Sequence, residues 1–271
     1  MIAASAGADI HFTTRGRGPA CIVLSAIGVA PYERMLPSAL DQHLQLVFVD
    51  PRGSGQSTGD PADLSFDQLA VDIDAVRDAL NLDRIAVFGH SIIGALAVEY
   101  AVRRPEHVSH VITVGLPPHG DMGELSSTAI ALFDEEASAE RKAALHSNLA
   151  AINESTTDGQ AMLAYTPMRF YDPHFHAAPL FAGSAMKPAF LQHVFATLTP
   201  EWRADVALPM LRAPLLLAQG RYDYASPAAL WNNLLPAHLI ATPHVFERSG
   251  HQPFVEEPEE FSRVLLNWMR S

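Results

Sequence analysis

Three residues of the 271-residue chain have the types and settings that nucleophilic catalysis requires. Ser91 sits in Gly89-His90-Ser91-Ile92-Ile93-Gly94, directly after the apolar run 85–88 and directly before a helical pattern. A serine on a sharp strand-to-helix turn projects its hydroxyl above the sheet. The start of the helix aims free backbone N–H groups at any negative charge that accumulates there. Serine at its free pKa is a poor nucleophile, so it needs a base and a group to orient that base. Both are offered downstream. Asp223 ends Gln219-Gly220-Arg221-Tyr222-Asp223, just past the apolar run 215–218, and His251 ends Glu247-Arg248-Ser249-Gly250-His251, just past Val245 and Phe246. Each of the three follows a strand, and open α/β sheets bind their ligands outside the carboxyl ends of strands. Asp121, after the preceding strand, is the alternative acid.

The elements that must carry these loops show two periodicities. Compact apolar runs at 21–24, 44–49, 85–88, 108–114 and 215–218 suit strands buried on both faces of a mainly parallel sheet, whereas residues 8–13 alternate and suit an exposed edge strand. Phe66, Leu69, Ala70, Ile73, Val76 and Leu80 recur at helical spacing behind a capping box of Ser65 and Gln68. Residues 92–103 predict a second helix that stops near Pro105. A last helix opens at Pro258 and turns Phe261, Val264, Leu265 and Trp268 inward. Strands alternating with helices predict a doubly wound α/β fold.

From residue 117 to 205 that rhythm breaks. Helical patterns at 139–152 (Leu145, Leu149 and Ile152 on one face) and 188–198 (Leu191, Val194, Phe195 and Leu198) flank a stretch, 165–182, rich in proline, histidine and aromatics. The pattern predicts a core of residues 1–116 and 206–271 interrupted by a helical cap over 117–205.

Composition excludes other classes. Against 18 basic residues stand 30 acidic ones, a net charge of −12, and such a surface repels phosphate backbones and anionic lipids. Neither nucleic acid nor membrane is expected as a partner, and composition does not address oligomeric state. With 48% apolar and 18% charged residues the chain supplies the burial that folding requires. The single Cys21 excludes an intrachain disulfide or a multi-cysteine zinc site and reads as a small buried hydrophobe. The early apolar run 20–30 is too short to span a bilayer, so a reducing cytoplasm is the expected setting. Gly53-Ser54-Gly55-Gln56-Ser57-Thr58-Gly59 misplaces the third glycine of a dinucleotide fingerprint, and Asp172-Pro173-His174-Phe175-His176 has no second ligand cluster, so neither cofactor nor metal is expected. Asp134-Glu135-Glu136 and Glu256, Glu257, Glu259 and Glu260 read as solvated faces, the second group at a helix N-terminus.

The chain resembles the α/β-hydrolase superfamily over essentially its whole length. Asp50-Pro51-Arg52-Gly53-Ser54-Gly55-Gln56-Ser57 is similar to a post-strand motif of the epoxide-hydrolase-like and proline-iminopeptidase-like branches. Glu99-Tyr100-Ala101, Arg104-Pro105-Glu106-His107-Val108, Gly220-Arg221-Tyr222-Asp223 and Ser249-Gly250-His251-Gln252-Pro253-Phe254 resemble the second branch. Epoxide hydrolases and haloalkane dehalogenases use an aspartate nucleophile, so Ser91 points to an acyl-transferring hydrolase instead. The resemblance implies that Ser91 attacks a carbonyl, His251 takes and returns the proton, and Asp223 holds the imidazole. It further implies an oxyanion hole from the backbone N–H groups of Ile92 and Ile27, and no cofactor.

The implied substrate is a small ester, lactone or amide. An iminopeptidase would hold its substrate's ammonium with a cap carboxylate, for which Glu124, Glu154 and Glu201 are candidates. Phe170, Tyr171, Phe175 and Phe181 are candidates to line the pocket. A carbon–carbon bond hydrolase and a non-catalytic ligand-binding receptor are the alternatives. His90 is expected to pack or support rather than react. Two departures from the family pattern set structural requirements. Ile93 stands where glycine is usual, so a neighbour such as Gly94 or Ala95 must be small. Ser25-Ala26-Ile27-Gly28 replaces an oxyanion loop that usually opens His-Gly, and Ala26 fits only if its φ is not positive.

Overall fold

Strand-forming runs of Val, Ile, Leu and Phe pair into one eight-stranded sheet, in a computed structural model that describes residues 1–232, 234 and 241–270. The strands are β1 (Ile2–Ser5), β2 (Ala8–Gly16), β3 (Ala20–Leu24), β4 (Gln45–Val49), β5 (Ile85–His90), β6 (Val108–Val114), β7 (Leu215–Gly220) and β8 (Ala241–Phe246). Their order is β1-β2-β4-β3-β5-β6-β7-β8, antiparallel through β4 and parallel from there on. Every residue of β3, β5 and β7 is buried, which explains their lack of polar alternation. The expectation of an exposed edge at 8–13 is corrected. β1 pairs outside β2, so β2 is the second strand and extends to Gly16. The chain leaves β3 towards β4 on one side and later returns to β5 on the other. The loops after β3 and β5 therefore meet at a point where the strand order reverses.

Helices cover both faces. The first are α1 (Val29–Met35), α2 (Phe66–Ala79) and α3 (Gly94–Arg103). At the start of α2, Ser65 Oγ accepts from the Gln68 amide at 3.1 Å, but the Gln68 side chain donates to Asp72 at 3.0 Å instead of completing the box. Asp72 recruits it while holding the buried Arg52 guanidinium through two bonds of 3.0 and 2.6 Å. Arg52 thereby ties the loop after β4 to α2. Cys21 is buried, and burial pushes its thiol up to about 12, leaving it a packing residue.

Between β6 and β7 the elements are helical: α4 (Met122–Glu136), α5 (Ala139–Ala150), α6 (Asp158–Ala164), α7 (Thr166–Arg169), α8 (Pro188–His193) and α9 (Ala204–Ala207), with short turns between them. Two expected faces hold only in part: Leu145, Leu191, Val194 and Leu198 pack inward. In α5 the buried residues are Arg141 and Ala144, whereas Ile152 is exposed, because the Arg141 guanidinium donates to the carbonyls of Pro167 and Phe170 at 2.6 Å each and to that of Tyr171. After α8 the chain widens into a π turn over Val194–Leu198, which shifts the register. Phe190, Val194 and Leu198 are buried, and Phe195 faces out. The chain ends with α10 (Pro253–Glu256) and α11 (Pro258–Trp268), whose Phe261 and Leu265 are buried under the sheet. Among the described residues no helix is long and apolar enough to cross a membrane.

Candidate active site

The turn from β5 into α3 is tight enough to force Ser91 to a φ of +58°, a conformation shared among described non-glycine residues only by Asn81. Gly89 and Gly94 make the turn possible, since a Cβ on Gly89 would lie 2.5 Å from the Gly94 Cα. This meets the requirement that Ile93 imposed: Ile93 packs into the core and Gly94 supplies the close approach. Ser91 is partly exposed between buried His90 and Ile92. The Ile92 amide lies in the first helical turn, where N–H groups lack intrahelical acceptors.

Past β7 and β8, Asp223 Oδ2 lies 2.7 Å from His251 Nδ1, both side chains almost fully buried. The other carboxylate oxygen accepts from the amides of Ala225 at 2.9 Å and Ser226 at 2.8 Å. An acceptor-only carboxylate at Nδ1 assigns the proton there and leaves Nε2 as the basic nitrogen. Among the described residues neither His251 Nε2 nor Ser91 Oγ has a hydrogen-bond partner, so both are available to a substrate. Gly115, at φ +60°, makes room for the pair, because a Cβ there would fall 2.8 Å from the His251 ring. No local sequence pattern marks that glycine.

His90 supports the imidazole from below. Its ring centroid is 4.6 Å from that of His251, its Nε2 lies 2.9 Å from the His251 carbonyl, and its Nδ1 lies 3.1 Å from the Tyr32 hydroxyl. Burial, with the neighbouring His251, holds its pKa well below the usual histidine range, so it is neutral. It then donates from Nε2 and accepts from Tyr32.

Residues 166–171 form a strap laced to both loops. The Met168 carbonyl accepts from Tyr224 N at 2.9 Å and the Arg169 carbonyl from His251 N at 2.6 Å. Glu256 adds a clamp, accepting from Tyr171 N at 2.6 Å and Gly250 N at 2.8 Å, and burial pushes its carboxyl up to about 8. Sequence reading placed Glu256 on a solvated face, a reading corrected by these two backbone bonds and by the partial burial of its side chain.

In the loop after β3, Gly28 takes the positive φ of +91° and Ala26 does not, which is the condition alanine needs there. The Ile27 carbonyl accepts from Ala185 N at 2.8 Å and Ser184 Oγ at 3.1 Å, and among the described residues its amide donates to none.

Other candidates lie elsewhere. Asp121 caps α4, accepting from Gly123 N and Glu124 N at 3.0 Å each. Glu124, Glu154 and Glu201 are exposed. Phe170 is buried and stacks on Phe175 at 4.5 Å, Tyr171 is exposed edge-on to Tyr222, and Phe181 packs against the cluster containing Tyr32. None of these four aromatics lines the cleft of about 430 Å³ that opens beside the acid loop. That cleft is walled by Leu125, Ala129 and Ile130 of α4 and by Met168, Arg169 and Tyr224. It escaped sequence reading because its walls meet only in three dimensions. His174 pairs with Glu140 at 3.5 Å and Asp172 caps a local turn; among the described residues no group of three metal-ligand side chains converges.

The profile of the alpha/beta hydrolase fold family matches residues 24–258. The AB hydrolase superfamily protein YclE of Bacillus subtilis is 28% identical, the alignment covering 98% of this chain and 96% of that protein. A pimeloyl-[acyl-carrier protein] methyl ester esterase of Nitrosomonas europaea is 29% identical over 94% of this chain and 97% of its own. The crystal structure of a proline iminopeptidase from Mycobacterium smegmatis superposes with a TM-score of 0.74 at 25% identity, covering 100% of this chain and 97% of that one. By this match, by the sheet order and by the strained serine turn, the chain belongs to the α/β hydrolase fold family and is an enzyme of the hydrolase class.

Proposed function

We propose that the protein is a serine hydrolase of small carboxylic esters, with Ser91, His251 and Asp223 as its catalytic triad. The observation that carries this reading is the 2.7 Å pairing of Asp223 with His251 past the carboxyl ends of β7 and β8, on the same edge of the parallel sheet as the strained Ser91 turn after β5. In the reaction His251 Nε2 removes the Ser91 proton as Oγ adds to the ester carbonyl. The imidazolium, held by Asp223, then protonates the departing alkoxide to leave an acyl-serine. Water repeats the sequence in reverse and releases the acid. The oxyanion is met by the amides of Ile92 and Ile27, each worth about 3 kcal/mol in the transition state. Residues 117–205 act as the cap that covers the site and selects the substrate.

Esters are preferred to N-terminal prolyl amides for a structural reason. An iminopeptidase needs a carboxylate for the substrate's ammonium, and Glu124, Glu154 and Glu201 are exposed and absent from the cleft beside the acid loop. A chromogenic panel tests this preference. Short-chain aryl esters should be hydrolysed, with prolyl and other aminoacyl anilides left intact; preferential cleavage of the prolyl anilide would contradict the ester reading.

A further inference from the structure

Arg169 sits partly buried at the head of the strap, one residue from the Met168 carbonyl that binds the acid loop, with its own carbonyl on His251 N. The protein's other buried arginines have partners: Arg52 grips Asp72 with two bonds, and Arg141 grips three strap carbonyls. Arg169 is treated differently. Among the described residues its guanidinium has no hydrogen-bond or ion-pair partner, and none of its nitrogens is sealed from solvent. It borders the cleft beside the acid loop, whose other walls are mostly apolar and include no carboxylate. A guanidinium cannot shed its charge, and at the edge of an apolar cleft its solvent-reached donors are open to an anionic partner. Its natural complement is a planar anion that accepts two parallel N–H bonds.

We infer that Arg169 is a substrate-recognition residue that binds a carboxylate carried by the ester, with the apolar walls of the cleft holding the rest of that substituent. The inference rests on the hydrolase reading above and narrows it to anionic esters. Burial pulls the Arg169 pKa down while the nearby Asp223 charge opposes this, and no direct hydrogen bond or ion pair joins the two. An incoming carboxylate fills the open donor positions next to the acid loop, because the cleft is bounded by Tyr224 and Ala225, the two residues after Asp223.

Matched ester pairs test this on either side of the scissile bond. One pair is para-nitrophenyl hydrogen adipate with para-nitrophenyl hexanoate; the other is para-acetoxybenzoate with its methyl ester. Wild-type protein should favour the anionic member of at least one pair in kcat/KM. Arg169→Gln should reduce that preference by about 10- to 100-fold, the range for losing a charge-assisted hydrogen-bonded contact, and Arg169→Lys should restore part of it. Ser126, exposed on the cleft wall, gives a second variant: Ser126→Glu should turn the preference towards the neutral ester. No anionic preference in either pair, or an equal loss for both members in Arg169→Gln, overturns the inference; equal loss would mean that Arg169 only positions Asp223. Calorimetry with benzoate on Ser91→Ala protein separates the two levels. Benzoate binding that depends on Arg169, with wild-type protein that hydrolyses none of the esters, would sustain the subsite and sink the hydrolase reading. Active enzyme whose benzoate binding ignores Arg169 would do the reverse.

Discussion

At Ser91 the chain holds a β-carbon in a backbone conformation that glycine adopts freely, at a cost on the order of 1 kcal/mol. That strain lifts the hydroxyl clear of β5 and α3. Ser91→Gly should therefore be inactive yet melt about 2–4 °C higher than wild type, the shift that 1 kcal/mol gives in a chain of this size. Ser91→Ala should be equally inactive with no such gain, and calorimetry with an activity assay checks both. A Ser91→Gly protein that melts lower would mean that the turn is not strained. The pairing of Asp223 with His251 is legible in sequence because each closes a loop directly after a strand, and strand ends converge in a parallel sheet. Gly115 is not legible: its role comes from a φ of +60° and a 2.8 Å approach to a ring 136 positions away along the chain (251 − 115 = 136).

Among the elements, the strap at residues 166–171 decides how well the loops after β7 and β8 are held. Arg141 fastens it to α5, and removing the guanidinium leaves three carbonyls without donors. Arg141→Met should cost about 2–4 kcal/mol in urea unfolding and lower kcat through a looser His251 loop; unchanged stability would contradict this account of the strap. Glu256 clamps the same strap from α10. Its folded pKa of about 8 lies above its ordinary 4.5, so the native state keeps a proton that the unfolded chain gives up. Stability should accordingly fall as pH rises from about 4.5 to about 8, and Glu256→Gln should flatten that slope. A slope unchanged in the variant would assign it to other groups. Sequence periodicity could not place these contacts. It assigned α5 an aliphatic face at Leu145, Leu149 and Ile152, whereas the buried face is set by an arginine whose acceptors lie 26 to 30 residues further on.

Across the whole molecule, the strands buried on both faces were readable from composition alone, since a parallel sheet covered by helices leaves no place for polar alternation. The edge was not: β1 is short, its Ile2 is exposed, and what identifies it is its pairing with β2 rather than any pattern of its own. The segment between β6 and β7 was readable as helical but not as a set of contacts, because its π turn and strap answer to distant loops. The central claim is that the hydroxyl of Ser91, on the strained turn after β5, is the nucleophile. Intact-protein mass spectrometry after treatment with a fluorophosphonate, followed by peptide mapping, tests it most directly. One phosphonyl adduct on Ser91 is expected, absent in Ser91→Ala and slowed by roughly 10⁴-fold in Asp223→Asn, as expected for an imidazole held in the wrong tautomer. Folded protein that takes no adduct, or takes it on another residue, would contradict the account.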